Sequence, residues 1–328
     1  MEKLSLVTGA NGHLGNTLVR ALLARGERVR AGVRDPLERS AFAGLDCELV
    51  YAELQDKQAL VQALQGVEVL YQVAAVFRHW ARDPQAEIVV PNVEGTRNVL
   101  EAAAAAGVKR VVYVSSVAAV GHNGQALNEQ HWNSEEDNAY YRSKILSERM
   151  AQEVAQRLGL DLVVVLPAAM VGPHAQRLTD TMDFLDSVLK RQVPLDPGFH
   201  FNFVDVRDVA EGMILAAEKG RPGERYILAS EQSSPLQALI TAANSVASGY
   251  RLPPPAPRWL LLALAWLQER AAQLTGKPAK LLVSQVRLFH GVRQEYSIAK
   301  ARAELGYRPR PVEQALREAF AFLQQRAG

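Results

Sequence analysis

Between Leu4 and Gly15 the chain reads Leu-Ser-Leu-Val-Thr-Gly-Ala-Asn-Gly-His-Leu-Gly, and this stretch restricts the fold more than any other. Mainly apolar, strand-forming residues run into a turn with glycines at Gly9, Gly12 and Gly15. A helix with apolar residues at Leu14, Leu18, Ala21 and Leu22 follows at once. Glycine lets the backbone turn sharply and lets a pyrophosphate come close, while the unpaired amides and the positive dipole end of the helix attract its charge. The turn is therefore expected to cradle a dinucleotide. The same pattern also describes a plain strand-to-helix turn, so further residues have to decide.

The phrase repeats down the first half of the chain. Gly26 precedes a strand over Arg28 to Val33, and Gly66, Gly107 and Gly159 each close a helical stretch before short Val-rich strands over 68–73, 110–114 and 160–166. Glycine just past a helix end accepts the left-handed backbone needed there. Apolar strands alternating with amphipathic helices predict an α/β fold, a doubly wound parallel sheet covered on both faces. Ligands in that architecture bind at the carboxyl ends of the strands.

Those strand ends carry the candidate chemistry. The second ends in Val33-Arg34-Asp35-Pro36, where an arginine suits the 2′-phosphate of NADP and a carboxylate suits the free ribose of NAD. Arg34 favours NADP(H) over NAD(H), with Asp35 as the competing ribose ligand or a helix cap. The third and fourth run into Glu53-Leu54 and Ala74-Ala75, and the fifth delivers Ser115-Ser116. Tyr140 and Lys144 follow an acidic lead-in and stand four apart, so a helix would put phenol and ammonium on one face. Glu148 continues that face, and an ordinary Lys144–Glu148 ion pair is the competing reading. Asn92, early in a helical stretch, reads by pattern alone as a cap.

Taken together, these motifs resemble the extended short-chain dehydrogenase/reductases, and most closely their dihydroflavonol-reductase and 3β-hydroxysteroid-dehydrogenase branches. The motifs are Thr8-Gly9-x-x-Gly12-x-x-Gly15, Asn92-Val93-x-Gly95-Thr96, Ser115-Ser116, Tyr140-x-x-x-Lys144, Val171-Gly172-Pro173 and the run Val204 to Ala210. The resemblance implies a Rossmann-type sheet over residues 1–166, rejoined by 200–230. A smaller, mostly helical C-terminal substrate lobe would be built from 167–199 and 231–328. It implies Tyr140 as general acid, acidified by Lys144 and the oxidised nicotinamide, with Ser116 holding the carbonyl oxygen and Ser115 as its fallback. Asn92 would be the fourth catalytic residue. Cofactor contacts would come from Gly9, Asn11, Gly12, His13 and Leu14 at the turn. Arg34, Glu53, Leu54, Ala74, Ala75 and Pro167 would line the rest, with Tyr140 and Lys144 at the nicotinamide end.

Departures from the family pattern narrow the substrate. Ala168, Ala169 and Met170 stand where sugar-nucleotide epimerases commonly carry an Asn, and His174 rather than Arg follows Pro173. The expectation is an NADPH-dependent reductase of a ketone or aldehyde on a moderately apolar substrate. Its rivals are an NAD(P)-dependent sugar-nucleotide epimerase or dehydratase and a non-catalytic cofactor-binding sensor or scaffold.

With 37 basic and 35 acidic residues the chain offers no field for nucleic acid. A lone Cys47, read as a buried strand residue, permits a reducing compartment, and seven histidines without paired spacing suggest no metal. The early first strand leaves no room for a signal peptide, and no apolar run reaches the roughly 20 residues that span a bilayer. A cytoplasmic monomer or homodimer is expected. Pro-rich residues 252–257 form a stiff linker to an apolar helix over 259–267. Burial is the favoured placement for that helix; lining a pocket or lying on a membrane surface as a peripheral contact stays open.

Overall fold

The computed structural model describes residues 3–327; the expected unit bounds at 1 and 328 lie outside them. β1 (Leu4–Thr8) ends at the glycine turn, and α1 (His13–Ala24) starts directly after Gly12. The chain continues through β2 (Arg28–Val33), β3 (Glu48–Tyr51), α2 (Lys57–Ala63), β4 (Val69–Gln72), α3 (Val90–Ala105) and β5 (Arg110–Val114). Next come α4 (Ala139–Leu158), β6 (Leu162–Pro167), β7 (Ala169–Val171), α5 (Asp180–Leu189), β8 (His200–Phe201) and β9 (Phe203–Asp205). Then follow α6 (Val206–Lys219), β10 (Arg225–Leu228), β11 (Ser234–Pro235) and α7 (Leu236–Asn244). Three helices finish the chain: α8 (Arg258–Thr275), α9 (Val283–Phe289) and α10 (Val312–Ala327).

Seven strands form one parallel sheet in the order β10-β6-β5-β4-β1-β2-β3. The Val-rich β6 is buried along its whole length, whereas the edge strand β3 is half-exposed and Cys47 sits buried one residue before it. Right-handed crossovers from β1 out to β2 and from β4 out to β5 run in opposite directions, so α1 and α3 cover opposite faces. α1 packs on α6, and α3 packs on α2 and α4. Gly66, Gly107 and Gly159 are all left-handed, with φ of 74°, 72° and 66°. The strand order reverses between β1 and β4, the point at which sheets of this kind form a ligand crevice at their carboxyl ends.

Most of the apolar core lies around this sheet. A second core, including Met182, Leu185, Phe203, Leu239 and Phe320, joins α5, α7 and α10 to β7 and β9. Asp205 caps α6 by accepting the Arg207 amide at 2.8 Å. The apolar stretch 259–267 departs from expectation: α8 buries only Leu261, Ala265 and Ala272, and its remaining face is open to solvent.

Candidate active site

The crevice is built from backbone first. Gly9 has φ +61°, and a Cβ on it would lie 3.0 Å from Ala74 Cα, so the turn after β1 touches the end of β4 directly. At Gly15 a Cβ would meet Gly9 O at 2.2 Å, which excludes every other residue there. Thr8 Oγ1 donates to Gln72 Oε1 at 2.7 Å and accepts the Val73 and Ala74 amides at 3.0 Å each, pinning the two strand ends together. The Asn11, His13 and Leu14 amides find no partner among the described residues. A tight turn with free donors at a helix start is a cradle fitted to a pyrophosphate. The His13 side chain is buried and engaged elsewhere. Its Nε2 meets Pro173 O at 2.8 Å, and burial lowers its pKa.

Along the rim, Arg34 is exposed and makes no ion pair among the described residues. Asp35 Oδ1 instead accepts the Leu37 amide at 3.0 Å. Glu53 Oε1 accepts the Gln55 amide at 3.3 Å, and Leu54 packs under Gly95, where a Cβ would be 3.0 Å from its own. Pro167 closes β6, paired with Leu228 of β10. Beneath Ala74 and Ala75 lies a cavity of about 10 Å³, shared with Asn92, Thr96, Tyr113 and Lys144. That is room for one water. Ser147 Oγ, buried without a partner, lines it too.

α4 carries the candidate side chains Tyr140 and Lys144. Its cap is Asn138, which accepts the Tyr141 amide at 3.2 Å; Glu135 sits outside the helix and accepts the Asp137 and Asn138 amides. Tyr140 is buried in aromatic company, its ring 5.1 Å from Phe77 and 4.8 Å from His79, both edge-on. Burial pushes its phenol up to about 12, with the Ser116 hydroxyl pulling the other way. One turn on, Lys144 is buried with no hydrogen-bond or ion-pair partner among the described residues. Desolvation drives its ammonium down to about 8, against the attraction of Glu148.

The Lys144–Glu148 ion pair of the competing reading does not form. Glu148 is fully buried and binds Arg225 Nε at 2.5 Å, and it accepts the Ser115 hydroxyl. That engagement removes Ser115 from the site and leaves Ser116, whose Oγ accepts the Ala118 amide at 3.1 Å in a short helical turn. Asn92 is no cap either. Its Oδ1 accepts the Val76 amide at 2.7 Å, and its Nδ2 donates to Val76 O at 3.0 Å and Ser143 Oγ at 3.3 Å. It clamps the chain beyond β4 to α4.

Sequence reasoning missed Gln72, Phe77 and His79. The aromatic run Phe77-Arg78-His79-Trp80 just past a strand end was the available signal. It also missed the rings that run on from Tyr140: Tyr141, Phe199, Phe201 and Phe289 meet mostly edge to face, with Tyr141 and Phe289 tilted. A polar cavity of about 540 Å³ opens elsewhere, at the start of β10. Its Arg221 pairs with Glu304, and its Lys300 with Glu224. With those charges already answered, it lies outside the site.

Comparison with known proteins identifies the family. Residues 5–229 match the NAD dependent epimerase/dehydratase family. A Synechocystis protein with the provisional name dihydroflavonol 4-reductase is 36% identical, over 99% of this chain and 95% of its own length. Sterol demethylase protein B of Methylococcus capsulatus is also 36% identical, over 98% of each chain. The crystal structure of gox2253 superposes with a TM-score of 0.86 at 34% identity, covering 99% of both chains. With its glycine turn at the strand reversal and its Tyr-x-x-x-Lys helix beside it, the chain belongs to the NAD-dependent epimerase/dehydratase family, among the dihydroflavonol-reductase-like extended short-chain dehydrogenase/reductases, a family of NAD(P)-dependent oxidoreductases.

Proposed function

We propose that this protein is an NADPH-dependent reductase of a ketone or aldehyde on a moderately apolar molecule, reversible as an alcohol dehydrogenase. One observation carries the reading: a phenol walled by aromatic rings stands one helical turn from a buried ammonium that has no hydrogen-bond or ion-pair partner among the described residues. On this reading residues 1–166 and 200–230 hold the cofactor, and 167–199 with 231–328 close over the substrate.

Bound NADPH supplies the hydride. Ser116 Oγ, held by the Ala118 amide, donates to the carbonyl oxygen. Tyr140 gives that oxygen its proton as negative charge develops there. Burial keeps the phenol protonated through neutral pH, the form a general acid requires. Lys144 stabilises the phenolate left behind and offers its other protons to the nicotinamide ribose. With its pKa near 8 it exchanges protons at neutral pH more readily than an ordinary lysine. Asn92 holds α4 in register with the end of β4.

Two features favour an apolar substrate and NADPH. The rings around Tyr140 are Phe77, His79 and Tyr141, with Phe289 in the same cluster, and Ala168, Ala169 and Met170 provide no side-chain donor for a nucleotide diphosphate. Arg34 is free past β2, while the Asp35 carboxylate is occupied in its own turn.

Consumption of NADPH with aryl and alicyclic ketones and aldehydes tests the activity. Tyr140→Phe should keep NADPH affinity and lose ~10²–10⁴-fold in turnover; undiminished reduction eliminates it as the acid. A tightly retained cofactor with no net consumption favours the epimerase reading. Arg34→Ala should weaken NADPH binding roughly 10- to 100-fold, the ~1.5–3 kcal/mol of a charge-assisted contact, and leave NADH unchanged. Equal losses with both cofactors contradict that role.

A further inference from the structure

The outer face of α8 is apolar and bare. Trp259, Trp266, Leu267 and Leu274 are 70, 51, 56 and 86% exposed. Together with Ala263 and Arg270 they recur at helical spacing and form one stripe, while Leu261 and Ala265 on the opposite side pack toward Val286 and Phe199. Scattered exposed leucines need no explanation; a continuous stripe with two tryptophans marks a contact surface.

The segment that carries it is strongly basic. Residues 251–293 hold seven basic side chains, among them Arg258, Arg270, Lys277 and Lys280, against the single acid Glu269, a net +6 in a chain whose total is +2. All seven are exposed and none is ion-paired among the described residues; Arg270 stacks over Trp266 at 5.4 Å. Glu269 is occupied by the Val283 amide at 2.9 Å.

We propose that α8 is an in-plane docking helix for an anionic lipid surface. Tryptophan and leucine enter the boundary between headgroups and acyl chains, and the basic rim meets negative headgroups. A second copy fits less well, because a two-fold contact would set one +6 patch against another. None of the helices among the described residues is long and apolar enough to cross a membrane, so α8 lies on the surface.

The far end of the helix lies against the segment that flanks Tyr140. It ends at Gly276, where a Cβ would lie 2.7 Å from Arg82 Nη2, and Arg82 closes the segment that brings Phe77 and His79 onto Tyr140. Docking therefore sets that segment beside the bilayer, where an apolar carbonyl compound would be concentrated. This last consequence rests on the reductase reading; lipid binding does not.

The test is flotation of the full chain with vesicles of phosphatidylglycerol and phosphatidylcholine, compared with phosphatidylcholine alone, at low and high salt. Binding to the anionic vesicles should exceed binding to the neutral ones by about tenfold or more and fade with salt. Trp266→Asp with Leu267→Asp should abolish it at unchanged thermal midpoint, and Lys277→Glu with Lys280→Glu should weaken it. No flotation with anionic vesicles, or equal flotation of the Asp variant, overturns the proposal. So does a solution dimer that the Asp variant splits, which would give the stripe to a second copy. Because flotation needs no turnover, its failure leaves the reductase reading standing.

Discussion

Lys144 and Glu148 stand one turn apart on the buried face of α4, and the fold treats them in opposite ways. Glu148 has a guanidinium and a hydroxyl of its own; Lys144 has neither carboxylate nor carbonyl within bonding reach among the described residues. Burial opposes the charge on both, pushing the carboxyl up and the ammonium down. For Glu148 the protein answers with Arg225, so that carboxylate belongs to the architecture linking α4, β5 and β10. Lys144 receives only the longer-range attraction of Glu148, with no hydrogen bond or ion pair of its own among the described residues. A buried charge left without a partner is costly unless something else supplies one, and functional sites are where such costs are kept.

The largest effects should come from removing each member. Glu148→Gln leaves Arg225 charged and buried, and should cost about 3–5 kcal/mol in denaturant unfolding while the folded fraction keeps its turnover. Lys144→Met should do the reverse, losing ~10²–10³-fold in turnover with no loss of stability. If Lys144→Met unfolds the protein and Glu148→Gln merely slows it, the contrast is inverted and Lys144 is structural.

A smaller effect sharpens the same contrast through pH. With Lys144 at about 8 in the folded chain and 10.5 as its ordinary value, the unfolded chain binds an extra proton between these limits. Stability therefore rises with pH across that window. Lys144→Met should be the more stable protein at pH 7 by up to about 3 kcal/mol, and most of that advantage should be gone by pH 10. Tyr140, raised to about 12, acts in the opposite sense only above its ordinary value of 10. An advantage constant with pH would mean that Lys144 is not desolvated.

The two serines give the smallest difference. Ser115→Ala removes a hydrogen bond to Glu148 and should cost roughly 1–3 kcal/mol of stability with turnover intact. Ser116→Ala should leave stability within about 0.5 kcal/mol and lower kcat/KM about tenfold or more. An exchange of these outcomes would restore Ser115 as the carbonyl ligand.

What the sequence made legible was local. The glycine turn, the strands of the sheet and the four-residue spacing of Tyr140 and Lys144 are patterns within one or two elements, and the backbone obeys them. The cap on α6 is local in the same way, since Asp205 bonds two residues ahead. The fate of Glu148 was not, because Arg225 lies 77 residues away and only the sheet order β10-β6-β5 brings it close. The aromatic wall was hidden likewise, with Phe77, Phe199 and Phe289 coming from irregular chain or short elements. Asn92 looked like a cap because its reach to Val76 and Ser143 leaves no mark in spacing. In α8 apolar composition suggested burial, yet composition does not say which face finds a partner.

The most direct test is a crystal structure with NADP⁺ bound. Lys144 Nζ is expected within hydrogen-bond distance of the nicotinamide ribose, with the Tyr140 hydroxyl and Ser116 Oγ facing one small space beside the nicotinamide ring. An ammonium turned back to Glu148, or a phenol directed away from the nicotinamide, would contradict the assignment of Lys144 as the charge held open for the cofactor.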